Sequence, residues 1–186
     1  MDLTTIETLM RDQDIEFVRF EQPDTHGISR NKTVPARHFR YFVERGGLNF
    51  YGGTLGLDAG AGVAMSTGYG EEIGYGDHSV RPDLDTFAVV PWAMNTARVL
   101  CDPYFYDGRP AMAAPRLLVK KLLSELEEMG FLHQSGLEYE FYIVDDATRQ
   151  PVYDGIQIFA TLRTAFDEVF IYQIAHDMYA MGIDVI

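Results

Sequence analysis

SGLEYEFYIV, residues 135–144, sets Glu138 and Glu140 one residue apart inside an apolar run. Successive side chains of a strand point to opposite faces. Leu137, Tyr139, Phe141 and Ile143 would then share one side, and Glu138, Glu140, Tyr142 and Val144 the other. Two carboxylates whose Cα atoms lie roughly 6.5–7 Å apart on one strand face repel each other. A cation, a basic neighbour or water has to offset that repulsion. The pattern leaves two readings open: a half-buried strand with a wet outer face, or a strand that presents a pair of hard oxygen ligands.

The chain around it has 186 residues, of which 47% are hydrophobic and 13% aromatic. That length and composition give a globular protein of one domain or two small ones, not a disordered chain. Asp and Glu number 28 against 15 Lys and Arg, a net charge of −13. Nucleic acid is excluded as the expected partner, because phosphate backbones are bound by clustered Lys and Arg. The single cysteine, Cys101, has no partner in the chain and reads as a buried, inert thiol. MDLTTIETLMRDQD has no basic head or apolar core of a signal peptide, and no run reaches the ~20 apolar residues of a membrane span. A cytoplasmic protein without a membrane partner is the expectation.

The first hundred residues read as a small sheet carrying one helix on it. Thr4 with Glu7 fits a capping box ahead of a short helix whose face is Ile6, Leu9 and Met10. IEFVRF (15–20) and ISRNKTV (28–34) are strands around the turn QPDTHG, and Pro35 opens a helix that Gly46-Gly47 ends. LNFYGGTLGL (48–57) is a strand with a glycine break. Residues 58–79 form a long glycine-rich loop without a phosphate-cradle motif, and RPDLDTFAVVPW and ARVLCDP are two further strands. The turn-rich DPYFYDGRPAMAAP marks a domain boundary near 105/106, giving domains 1–105 and 106–186. Beyond it Pro115 opens a helix that Gly130 closes, the glutamate strand follows, and DDATRQPVYDG makes a turn or hairpin. A second helix runs from about Thr164 to Ala180, with Phe166, Phe170, Ile174 and Met178 as its core face. GIDVI (182–186) reads as a strand just starting, so the chain is expected to be the front part of a longer protein.

These blocks stand in the order of the glutamine synthetase superfamily. HGISRNKTVPA (26–36) is similar to the family's amino-terminal segment, and RPDLDTFAVVPWAMNTARVLCDPYFYDGRP (81–110) to its long signature. PRLLVKKLLSELEEMGF with GLEYEFYIV resembles the helix and metal-binding strand that open the family's catalytic domain, and DGIQIF (154–159) also resembles a family segment. The resemblance implies an α+β protein: a β-grasp-like amino-terminal domain, then the truncated start of an α/β catalytic domain. It implies that Glu138 holds the Mg2+ or Mn2+ ion nearer the phosphates of ATP, and Glu140 the one nearer the substrate carboxylate. It implies amide formation at the side-chain carboxylate of glutamate through a γ-glutamyl phosphate, with ammonia or a larger amine as nucleophile. It also implies a homo-oligomeric ring whose sites lie between subunits. It implies that the remaining metal ligands, the phosphate-binding arginines and the lid glutamate lie beyond Ile186, so no catalytic residue is assigned here and the fragment alone is expected to be inactive.

One departure stands out. Where glutamine synthetases carry an ammonium-binding aspartate in a segment like F-D-G-S-S, this chain has NFYGGT, with Tyr51 at that position and Asp58 seven residues on. A phenol with a pKa near ~10 is no anionic site for ammonium at neutral pH. The resemblance therefore implies either a ligase for a larger amine, with Tyr51 and Asp58 on the amine side, or a catalytically inactive, lengsin-like structural relative. Tyr69, Glu71, Glu72 and Tyr75 of the glycine-rich loop join Tyr51 and Asp58 as groups with no evident work inside their own domain.

Overall fold

Every second residue of Phe17–Pro23 (β1) is buried, and that period lays Val18, Phe20 and Gln22 on one face of a sheet. The computed structural model describes residues 1–153, 155, 159–161, 165 and 168–185, which fall into two compact units, Met1–Leu132 and His133–Ile186.

In the first unit β1 pairs antiparallel with β2 (Ser29–Pro35), Phe17 opposite Pro35 and Pro23 opposite Ser29. The turn between them is organised by the Asp24 carboxylate, which accepts from the backbone of His26 (2.8 Å) and Ile28 (3.0 Å) and from Arg30 Nε (2.8 Å). Burial opposes the ionisation of Asp24, but these donors hold its pKa below the usual value. Further strands are β3 (Leu48–Tyr51), β4 (Asp77–Pro82), β5 (Ala88–Val89) and β6 (Thr96–Tyr104). β6 runs parallel to β1 over Thr96–Leu100, antiparallel to β4 over Cys101–Tyr104, and takes β5 at Ala97–Arg98. The order is β2-β1-β6-β4-β3, a mixed sheet with helices, which is the α+β class the sequence implied.

Helix α1 (Leu3–Asp12) buries Ile6 and Met10 as expected, but its cap is Asp2, whose carboxylate accepts from Thr5 N at 2.7 Å. The Thr4–Glu7 capping box does not form, because the helix starts two residues earlier and Glu7 is taken by Arg40 Nε at 2.7 Å. After a 3-10 turn, α2 (Phe39–Glu44) follows. Gly47 at φ 115° is required where it stands, since a Cβ there would lie 2.0 Å from the Val80 carbonyl oxygen. The core joins Phe20, Phe39 and Phe87, with ring centroids 5.6 Å apart in sequence of contact, to Ile6, Val18, Val80 and Val99. Cys101 belongs to this core, and burial pushes its thiol pKa far up, as an inert thiol requires.

α3 (Pro115–Glu128) starts on its proline and stops before Gly130, which has φ 84°. Leu117 enters a small second core with Leu55, Tyr69, Ala111 and Ala114. Arg116 Nε lies 2.9 Å from Asp102 and its Nη2 pairs with Asp83, while Lys120 Nζ reaches Asp83 at 2.8 Å and Asp102 at 2.6 Å. Two cations thus meet two carboxylates, and α3 is fixed to the sheet by charge as well as by Leu117.

The second unit departs from expectation. Residues 131–143 form no strand, and the one pairing there is an isolated bridge between Val144 and Pro151. Leu137 is 82% exposed and Phe141 64%, so no described element covers either side of the segment. The turn that follows does form: Asp145 Oδ1 accepts from Ala147 N, Thr148 N and Thr148 Oγ1. Helix α4 (Glu168–Ala180) matches the expected second helix, but none of its residues is buried, and Phe170 and Ile174 are exposed. An apolar stripe becomes a core face only when another layer receives it, and the described residues of this unit supply none. Thr164, Phe166, most of DGIQIF (Asp154 and 156–158) and Ile186 lie outside the described residues. GIDV forms no strand; Tyr179 Oη donates to the Val185 carbonyl at 2.9 Å. Among the described residues no helix is long and apolar enough to cross a membrane.

Candidate functional site

Glu138 and Glu140 sit on the unpaired segment, both exposed. As carboxylates they are the right donors for Mg2+ or Mn2+. Among the described residues no third His, Cys, Asp or Glu joins them in a metal-sized cluster. Two carboxylates could supply at most part of a six-coordinate Mg2+ shell, whose remaining oxygens would come from water, phosphate or other groups.

The second candidate region is the end of β3. Leu48 and Phe50 point into the core, which turns Asn49 and Tyr51 outward. The Tyr51 ring lies directly over Gly53, where a Cβ would come within 2.4 Å of its Cζ and Oη. At Gly52 a Cβ would lie 2.7 Å from the Gly76 carbonyl oxygen and 3.3 Å from His78 Nδ1. Both glycines are needed for this turn, and Tyr51, 38% exposed, is seated by the second of them.

Asp58 is occupied within its own loop. Its Oδ1 accepts from Gly60 N (2.8 Å) and Gly62 N (2.9 Å), which closes the turn that bridges Leu57 to Val63. Two other loop residues expected to lack internal work also have it. Tyr69 is buried, stacks on Phe105 at 5.6 Å, and accepts from Ala113 N at 3.4 Å. Glu72 accepts from Gly68 N, and the backbone N–H groups of Glu72 itself and of Gly68 hold its carboxyl pKa down. Glu71 and Tyr75 remain exposed.

Beneath this turn lies a polar pair that sequence reasoning missed. Gln22 and His78 are fully buried, and the neutral imidazole donates from Nε2 to Gln22 Oε1 at 2.8 Å. His78 Nδ1 and Gln22 Nε2 have no hydrogen-bond partner among the described residues. Burial lowers the His78 pKa to about 4, against a smaller raising effect of Asp77. The signal was the strand period itself: continuing the inward positions Val18 and Phe20 by two reaches Gln22, and stepping back by two from Val80 reaches His78.

The first unit is thus a mixed-sheet α+β fold with a helix seated on its charged flank. No family model matches the chain. Lengsin of Canis lupus familiaris is 32% identical over 188 residues, covering 92% of this chain and 30% of that protein. The glutamate–isopropylamine ligase of a Pseudomonas sp is 31% identical over 134 residues, 72% of this chain and 29% of the ligase. Glutamine synthetase of Thermotoga maritima is 29% identical over 147 residues, 77% of this chain and 30% of that enzyme. Among solved structures, GmaS without ligand matches the fold with a TM-score of 0.69 at 22% identity, over 97% of this chain and 40% of that one. The chain belongs to the glutamine synthetase superfamily and corresponds to the amino-terminal part of its members. It spans 30% of the length of the lengsin it matches.

Proposed function

We propose that this chain is the amino-terminal part of an ATP-dependent ligase that joins an amine to the side-chain carboxylate of glutamate through a γ-glutamyl phosphate. In this reading residues 1–105 are a β-grasp-like domain and 106–186 open the catalytic domain. The observation that carries it is the retained pair Glu138 and Glu140 on the segment similar to the family's metal strand. Two carboxylates there would hold Mg2+ or Mn2+, which neutralise charge on ATP during phosphoryl transfer. The remaining oxygens of each shell would come from ATP, glutamate, water and other parts of the protein.

Tyr51 supports a larger amine than ammonia, because a neutral ring offers apolar and cation–π contact where an ammonium site needs an anion. A relative named glutamate–isopropylamine ligase fits that preference. Asp58, already bound to Gly60 and Gly62, is the weaker amine-side residue of the two. A second reading, a lengsin-like structural protein without catalysis, is favoured by one observation: lengsin matches 92% of the chain, the isopropylamine ligase 72%.

The test is phosphate release from ATP by the intact protein with glutamate and Mg2+, across ammonia, alkylamines, polyamines and aromatic amines. Release with at least one amine is expected, together with weaker Mn2+ binding by calorimetry in Glu138→Ala and Glu140→Ala. Metal bound normally in both variants and no release with any amine would move the protein to the structural reading.

A further inference from the structure

On the face of the sheet opposite Val18, Phe20, Ala97 and Val99, the registers align Thr33, Arg19, Arg98 and Ala88 in one row across β2, β1, β6 and β5. Arg19 and Arg98 are therefore direct neighbours on adjacent parallel strands, roughly 4.8 Å apart at their backbones. Both are half-buried. Like charges set opposite one another destabilise a sheet. A protein of net charge −13 has acidic side chains in plenty to neutralise them, yet few are placed here.

Among the described residues the counter-charge is Glu21 alone. Its Oε2 lies 3.7 Å from Arg98 Nη1, too long for a hydrogen bond, and also receives Ser29 Oγ at 3.4 Å. Arg98 Nε is shielded from solvent and has no hydrogen-bond partner, and Arg19 has neither an ion pair nor a side-chain hydrogen bond among the described residues. Nearby on the sheet the contrast is plain: Arg116 and Lys120 are matched one for one by Asp83 and Asp102. Two guanidinium groups against one loosely held carboxylate leave several directed donors unused. Paired planar donors of this kind suit an oxyanion with at least two acceptor oxygens.

We propose that Arg19 and Arg98 form an oxyanion-binding site on the outer face of the β1–β6 pair, taking the phosphate or carboxylate group of a small molecule. The inference uses neither the glutamate pair nor Tyr51 and does not rest on the ligase reading.

Thermal unfolding of the chain in sodium phosphate, sodium acetate and sodium chloride at matched ionic strength tests it. Arg19→Gln serves as the comparison, since phosphate also stabilises proteins without binding to a site. Inorganic phosphate or acetate should raise the wild-type Tm saturably, by about 2–4 °C at roughly five times its Kd. The arm that saturates identifies the group the site takes. Arg19→Gln should lose that shift, and in chloride should melt no lower than wild type because the cross-strand repulsion is relieved. Arg19→Lys, which keeps the charge and the packing of the stem but loses the planar fork, should lose most of the shift as well. Equal phosphate and acetate responses in wild type and both variants would overturn the site.

Discussion

His78 shows how one residue carries a pH dependence the chain as a whole does not announce. Its folded pKa of about 4 lies below the ordinary 6.5, because burial disfavours the imidazolium. Protonation therefore favours the unfolded chain. The contribution is complete above pH 6.5, falls as pH drops from 6.5 toward 4, and is flat below that, a total of about 3 kcal/mol. Denaturant unfolding of wild type and His78→Gln at pH 7 and pH 4.5 measures it. The wild type is expected to lose more stability between the two pH values than the variant, and equal losses would mean that His78 titrates freely. By sequence His78 belongs to the glycine-rich loop 58–79, and the structure puts it inside the sheet on β4. Which group it meets there was not legible, since Gln22 stands 56 positions away and meets it only through the strand order β1-β6-β4.

At the scale of elements, α3 was the most legible piece: a proline start, a glycine stop and an amphipathic run between them. Its docking was not. Arg116 and Lys120 read as solvent-facing charges on a helix, and only the fold brings Asp83 and Asp102 to them. Arg116→Ala would leave nearly buried Asp102 with Lys120 alone, and should cost about 2 kcal/mol in chemical denaturation, less than a fully buried pair because Arg116 keeps some solvent contact. Lys121→Ala, which removes an exposed 3.6 Å pair with Glu125 one helical turn away, should cost under about 0.5 kcal/mol. Similar losses in both would mean that Leu117 packing, not charge, seats the helix. The same distinction explains α1. A capping box was readable at Thr4 and Glu7, but Arg40 of another element claims Glu7, and Asp2 caps instead.

For the whole molecule, the proposed assembly is a ring in which the amino-terminal domain of one subunit closes the catalytic domain of the next, a head-to-tail contact that can close on itself. In the intact protein, Tyr51→Ala should change turnover or amine preference without changing Mn2+ affinity. Mixed with Glu140→Ala, it should recover part of the activity, because some shared sites would then carry neither lesion. Mixed rings that demonstrably form without recovering activity would rule out the shared site. The sequence by itself determined β1, β2 and β6, the ends of α3, the buried thiol and the family, because strand period, turn glycines and proline starts act over a few residues. The first half of β4 fell in the stretch read as a loop, and β3 and β5 are shorter than the strands read there. It also placed two glutamates in an alternating apolar run. Tertiary structure decided the rest: that Asp58, Tyr69 and Glu72 serve their own loop, that Gln22 and His78 share the core, that Arg19 lies against Arg98, and that residues 135–143 form no strand among the described residues. Pairing, burial and charge balance depend on residues far apart in the chain, and a strand pattern becomes a strand only where a neighbour accepts its hydrogen bonds.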